Sequence, residues 1–254
     1  RPDVVHSFMV HSNLLTRVVR LAAPRHALVN TALGISESRT PDDSSRPREL
    51  AYTATDWLSD ATTQVSRNCA DHYVRLRAVP QRKMKVIPVG VDASRFVRFS
   101  DDERRACRKA FSVPDDGFNW VSVARFTPDK DHKSLIEAFA IVHRQTPHAR
   151  LFLKGLGALE TDLRQQAQAA GLGEAVRFVT ERVQMERFLI AFNSSVLSSV
   201  REAMPTVLLE AAACELPMVA TDVGGNAEVT LDGENGFVVP ASKPERLAEV
   251  MLKV

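Results

Sequence analysis

The chain has 254 residues, 44% hydrophobic and 25% charged, with a formal net charge of +2, a makeup that fits one or two globular domains. No apolar run approaches the roughly 18 residues needed to cross a bilayer, and the N-terminal residues lack a charged-then-apolar secretory pattern, so a cytoplasmic location is expected. Cys69, Cys107 and Cys214 are too widely spaced for a metal-ligand or redox motif and are expected as buried free thiols.

Hydrophobic runs predict short strands at about 3–6, 27–31, 62–66, 85–89, 119–124, 150–154, 176–179, 195–198, 217–221 and 236–239. Helical patterns fill most of the intervals. In residues 131–146, Leu135, Ile136, Phe139 and Val142 recur at helical spacing, with Asp129 and Asp131 at the end where negative charge is favoured. Strands alternating with helices imply parallel sheets with crossover connections. Residues 37–49, rich in Ser, Arg, Pro and Asp, read as an exposed loop. The break between halves falls near Pro88–Ser100, giving expected domains of 1–95 and 96–254. Residues 1–98 hold 15 Lys and Arg against 9 Asp and Glu, and the remainder holds 18 against 22, so the first half is the basic one. Arg17, Arg20 and Arg25 flank an apolar helical stretch there; contact with anionic lipid headgroups or an anionic acceptor, and a merely solvated helix face, are the readings. No aromatic-interleaved basic motif points to nucleic acid.

The most informative stretch runs from Arg201 to Glu228. Glu202 and Glu210 stand eight positions apart across Pro205, which pre-sets the backbone for a first helical turn. The amides of Thr206, Val207 and Leu208 then face outward at a positive helix end, a seat for phosphate oxygens. Glu210, a little over one turn into that helix, is placed to accept hydrogen bonds from a diol such as a ribose. A nucleotide joined through phosphate to a sugar satisfies all three features. Arg125 and Lys130, five apart after an apolar strand, suit a phosphate clamp; an ion pair and a solvated lysine are the plainer alternatives. Gly155 and Gly157, like Gly224 and Gly225, serve either as turn residues or as points of close ligand approach. Glu228 reads as the start of a following helix.

This stretch, with its Glu, seven residues, Glu spacing and its sequel Ala-Thr-Asp-Val-Gly-Gly, resembles the retaining glycosyltransferases of family 4. The resemblance extends to Val121–Lys130 (Val-Ser-Val-Ala-Arg-Phe-Thr-Pro-Asp-Lys), Leu151–Gly157 (Leu-Phe-Leu-Lys-Gly-Leu-Gly), Val86–Phe96 (Val-Ile-Pro-Val-Gly-Val-Asp-Ala-Ser-Arg-Phe) and Arg1–Asn13, ordered motifs that cover most of the chain. It implies an α/β architecture of the GT-B type: two Rossmann-like domains with parallel sheets, the first incomplete. A strand and glycine-rich loop are expected before Arg1 and a closing helix after Val254. Ala203, Glu215 and Thr180 stand where the family usually has glycine, Asn193 where Asp is common, and Leu33 where many members carry histidine.

The function implied is transfer of a sugar from a nucleotide-sugar to an acceptor hydroxyl with the anomeric configuration kept, in polysaccharide or glycolipid biosynthesis. Arg125, Lys130 and Glu202 are the expected catalytic residues. Pro205, Thr206, Val207, Glu210, Gly155, Gly157 and Arg182 are expected to bind the donor, with base recognition near Thr180–Val183. His6 and His11 are candidates for the acceptor side, where the partner is a sugar or a lipid-linked acceptor. No cofactor or metal is expected, because cationic side chains take the place of a divalent ion. Two alternatives stand beside this reading: a degenerate module that binds nucleotide-sugar without turnover, and a GT-B epimerase or phosphorylase.

Overall fold

A computed structural model describes residues 2–32, 46–97 and 99–254. The chain divides into two compact units, Arg1–Val89 with Arg201–Met204, and Gly90–Val200 with Pro205–Val254.

The first unit contains β1 (Val4–Phe8), α1 (Val10–Arg20), β2 (Ala27–Thr31), α2 (Arg46–Thr55), β3 (Ala61–Gln64), α3 (Arg67–Arg75) and β4 (Met84–Val86). The strands form one sheet in the order β1-β2-β3-β4, with every pairing parallel and, for example, His6 opposite Val29 and Thr62 opposite Met84. The loop expected over 37–49 needs correction at its end, where residues from Arg46 onward are helical. Pro47 is compatible with that, because the amide it lacks would have no partner in a first helical turn.

Helix α1 corrects the basic-surface reading at Arg17 and Arg20, while Arg25 is exposed. Arg17 is fully buried, with Nε donating to Asn30 Oδ1 at 2.7 Å, Nη1 donating to the Tyr52 carbonyl at 3.1 Å, and the guanidinium 4.4 Å above the Tyr52 ring. Arg20 donates to the Leu58 carbonyl and pairs with Asp60 at 2.7 Å. Both charges are therefore spent inside the unit, tying α1 to β2 and to the segment before β3, and neither offers a cation to a membrane. A buried guanidinium is retained only where several acceptors compensate its lost hydration.

The second unit contains α4 (Asp101–Ala110), β5 (Asn119–Val123), α5 (His132–Gln145), β6 (Arg150–Lys154), α6 (Glu160–Ala169), β7 (Val176–Val179), α7 (Met185–Leu189), β8 (Ser194–Leu197), α8 (Thr206–Ala213), β9 (Met218–Thr221), α9 (Asn226–Val229), β10 (Gly236–Val239) and α10 (Pro244–Met251). The sheet order is β10-β9-β8-β5-β6-β7, again all parallel. Its core joins Trp120, Leu151 and Leu153 of the sheet to Leu135, Ile136 and Phe139 of α5, all 0 or 1% exposed, each such side chain stabilising the fold by about 1.5–3 kcal/mol. Helix α4 starts with a capping box between Ser100 and Glu103, and Asp131 caps α5 by accepting from the Ser134 amide at 3.3 Å.

The three cysteines are buried and unbridged. Of the four unusual positions, Ala203, Thr180 and Asn193 keep φ out of the left-handed region, and only Glu215 enters it, at φ 56°. Glu215 follows α8, where its amide donates to Ala212 O and that of Leu216 to Ala211 O, the double bond of a Schellman ending in which glycine is favoured.

Candidate functional site

The order of the second sheet locates the site before any side chain is considered. β5 lies beside both β6 and β8: from it the chain proceeds outward through β6 and β7, then returns to build β8, β9 and β10 on the other side. At such a reversal the loops leaving the C-terminal strand ends diverge, and the crevice between them is where open parallel sheets bind ligands. The loops after β5 and β8 border it.

Two residues past β5, Arg125 is exposed, and Lys130 lies further along the same loop, its side chain 15% exposed. Burial would raise the Asp129 carboxyl, yet a hydrogen bond from Thr127, its own backbone amide and the nearby charges of Lys130 and Arg125 together hold it below the ordinary value. Lys130 Nζ is 3.8 Å from Asp129 Oδ2. The loop is pinned to the far side of the crevice: Ser198 Oγ donates to the Lys130 carbonyl and the Val200 amide to the Asp129 carbonyl, each at 2.9 Å. Asp131 then turns left-handed at φ 45° to start α5.

His132, first in α5, was not singled out by sequence reasoning. It is 2% exposed, edge-on to Phe126 with ring centroids 5.1 Å apart, and neither ring nitrogen has a hydrogen-bond partner. Burial, reinforced by Lys130 and opposed by Asp129, lowers its pKa to about 4, so the imidazole is neutral at pH 7. The only sequence signal was its position directly after the capping Asp131.

The glycines after β6 have a packing explanation. A Cβ on Gly155 would sit 2.0 Å from the Ala124 carbonyl oxygen, and one on Gly157 would sit 2.3 Å from that of Phe126. Their bareness lets the β6 turn lie on the backbone that carries Arg125, where the Phe126 amide donates to Leu156 O at 3.0 Å and the Leu159 amide to Phe126 O at 3.1 Å. Arg182 is exposed in the loop after β7, which joins this edge through the Gly155 amide donating to Val179 O at 3.2 Å.

Across the crevice, Pro205 occupies the N-cap of α8 rather than its first turn, with φ −75° and ψ 119°. Thr206 and Val207 are the first helical residues, and their amides precede any intrahelical acceptor. The Leu208 amide is excluded from the predicted phosphate seat, because it donates to Pro205 O at 3.2 Å. Glu210 is partly buried; burial raises its pKa, with Arg95 opposing and Glu186 adding to the shift. Arg95 Nη2 contacts both Glu186 carboxylate oxygens, at 3.0 and 3.2 Å. Residues 91 positions apart gave no sequence hint of that pair. Glu202 is partly buried and groups with the first unit through Arg201–Met204, where Cys69 Sγ meets the Ala203 carbonyl at 3.5 Å. Gly224 takes φ 55° in the turn after β9, and Glu228 lies in the short α9.

In the first unit, His6 sits at the middle of β1. Its Nε2 is 2.7 Å from Thr31 Oγ1, which is 2.7 Å from Thr63 Oγ1. His11 is exposed in the first turn of α1. Leu33 lies outside the described residues. Among the described residues no three His, Cys, Asp or Glu side chains gather as a metal site requires, and no helix is long and apolar enough to cross a membrane.

Known proteins resemble this chain in sequence and in fold. The chain is 30% identical over 245 residues to a putative glycosyltransferase, EpsD, of Bacillus subtilis, and 32% identical over 276 residues to a D-inositol 3-phosphate glycosyltransferase of Geodermatophilus obscurus. Those matches take in 93% and 99% of the chain but 63% and 59% of the relatives' own lengths. In structure it matches Anabaena Alr3699/HepE, solved in complex with UDP, with a TM-score of 0.87 at 21% identity, over 99% of this chain and 68% of that one, which establishes the GT-B-type fold. The sequence profile described as glycosyl transferases group 1 matches residues 103–254, more than half of the chain, and the protein belongs to that family.

Proposed function

We propose that this chain is part of a retaining glycosyltransferase that moves a sugar from a nucleotide-sugar to an acceptor hydroxyl, in polysaccharide or glycolipid biosynthesis. The observation that carries the reading is the pairing, across the strand-order reversal, of a cationic loop after β5 with the open amide turn of α8 after β8. A diphosphate suits that pairing on both sides. In the reaction the bond between the anomeric carbon and the diphosphate oxygen breaks, and a bond to the acceptor oxygen forms on the same face of the sugar. Negative charge grows on the leaving diphosphate. Arg125 and Lys130 stabilise it, aided by the amides of Thr206 and Val207, in a site organised before the charge appears. Glu210 accepts from the ribose hydroxyls and Glu202 from the sugar. HepE, with UDP in its crystal, supports a uridine nucleotide as the first donor to test. The altered glycine positions weigh little against turnover, since only Glu215 adopts a glycine-like φ, at the far end of α8.

Calorimetric titration with UDP, GDP and ADP, followed by product analysis with the matching nucleotide-sugars, tests the proposal. One diphosphate is expected to bind, and the product's anomeric proton is expected to show the donor's configuration. Glu210→Gln is expected to weaken binding of that diphosphate by about 1–3 kcal/mol, the loss of a charge-assisted hydrogen bond. Absence of binding by all three nucleotides refutes the reading.

A further inference from the structure

Lys130 closes a single turn of 3-10 helix, Pro128–Lys130, in which its amide donates to Thr127 O at 3.1 Å and that of Asp131 to Pro128 O at 3.3 Å. Asp131 then turns left-handed and separates this turn from α5, so the carbonyls of Asp129 and Lys130 take donors from outside the helix. Both donors come from the end of β8. The Val200 amide serves Asp129 and the Ser198 hydroxyl serves Lys130, each at 2.9 Å. Ser198 is 2% exposed, which keeps bulk water from competing for that bond. The anchor is itself held, because Ser199 O accepts from Thr221 Oγ1 of β9 at 2.5 Å. The other end of the cationic loop has a separate support: Phe126, next to Arg125, is bonded to Leu156 and Leu159 of the β6 turn. The two cations of the clamp are thus seated by different strands, Arg125 by β6 and Lys130 by β8.

We propose that Ser198 is a positioning residue for Lys130: its hydroxyl fixes the Lys130 carbonyl, and with it the base from which the ammonium reaches a diphosphate. The inference rests on the nucleotide-sugar reading above and adds to it a residue that acts through the backbone of another. A compact charge on a flexible four-carbon stem gains from a fixed base, since its attraction falls with distance and the stem gives up freedom on binding.

Strand β8 supplies an internal control. Ser194, at its opposite end and 0% exposed, donates through Oγ to Pro217 O at 2.8 Å, a bond of the same kind about 13 Å away along the strand. The test is calorimetry of a nucleoside diphosphate against its monophosphate, UDP with UMP first, then GDP with GMP and ADP with AMP if the wild type binds those instead. It is run on wild type, Ser198→Ala, Ser194→Ala, Lys130→Ala and the double variant Ser198→Ala with Lys130→Ala, with melting temperatures alongside. Wild type is expected to favour the diphosphate by about tenfold, the weight of one charge-assisted hydrogen bond. Ser198→Ala is expected to lower that ratio about fivefold, within the range for coupled neighbours. Ser194→Ala leaves the ratio unchanged while losing a similar amount of melting temperature. In the Lys130→Ala background, Ser198→Ala has no further effect on the ratio, a result that a merely structural role does not produce. An unchanged ratio in Ser198→Ala, an equal loss in Ser194→Ala, or the full loss in the Lys130→Ala background overturns the role of Ser198 and leaves the donor site standing. A wild type that binds diphosphate no better than monophosphate overturns this role together with the clamp, and one that binds none of UDP, GDP and ADP overturns the nucleotide-sugar reading as well. Should Ser198→Ala fail to fold, Ser198→Cys, a weaker donor of similar size, takes its place with the same expectations.

Discussion

His132 makes the second unit acid-sensitive by an amount that can be worked out. Its imidazole is 2% exposed and its pKa falls from 6.5 to about 4. Below pH 6.5 the unfolded chain takes up a proton that the folded chain refuses, so stability is lost as pH falls from 6.5 toward 4 and levels off below. At about 1.4 kcal/mol per pH unit, the loss reaches roughly 2.5 kcal/mol at pH 4.5 and a little over 3 kcal/mol in full. Carboxylates contribute to acid unfolding as well, so the informative quantity is the gap between wild type and His132→Phe. Phenylalanine cannot titrate and removes two unpartnered nitrogens, each a source of instability when buried. The gap should shift in favour of the variant by about 2.5 kcal/mol between pH 7 and 4.5. Urea unfolding followed by tryptophan fluorescence measures it, because Trp120 is buried in this unit whereas Trp57 in the other is 69% exposed. A gap constant to within about 0.5 kcal/mol across that range would show that the imidazole is charged or hydrogen-bonded in solution, and the reasoning would fail.

Arg125→Ala and Lys130→Ala should each lower turnover by roughly a hundredfold, the scale for loss of a preorganised charge stabiliser, with melting temperatures nearly unchanged; parallel losses of melting temperature and rate would mark both as structural. Gly155→Ala places a methyl 2.0 Å from the Ala124 oxygen and should destabilise the second unit by about 1–3 kcal/mol or more, which denaturant midpoints will register. Glu215→Gly relieves a left-handed residue at φ 56° and should raise stability by about 1 kcal/mol, read from the same unfolding curves.

Most strands were legible because they are short apolar or β-branched runs bounded by turn residues, and α5 because Leu135, Ile136, Phe139 and Val142 repeat at helical spacing and are all buried. The loops that carry Arg125, Lys130 and the α8 turn could be found for a related reason: they follow those strands directly. What the sequence hides depends on distance along the chain or on solvent. Arg17 reads as a surface charge until Asn30 and Tyr52 fold over it. The Arg95–Glu186 pair exists only once the segment after β4 meets α7. For Gly155 and Gly157, composition cannot show which backbone lies against them, and in the structure it is that of Ala124 and Phe126. The residue type of Glu215 argues against a left-handed turn, and only its standing where the family usually has glycine pointed to one.

The interlocking of the β5 and β6 loops reaches beyond this site. Phe126 donates to Leu156 and accepts from Leu159, with two bare glycines seated on the same backbone. Neither loop can be redesigned, or drift in descent, on its own. A chimera that imports one turn from a relative will need the other from the same parent, so new sequences for these two turns should arise by paired exchange rather than by single steps.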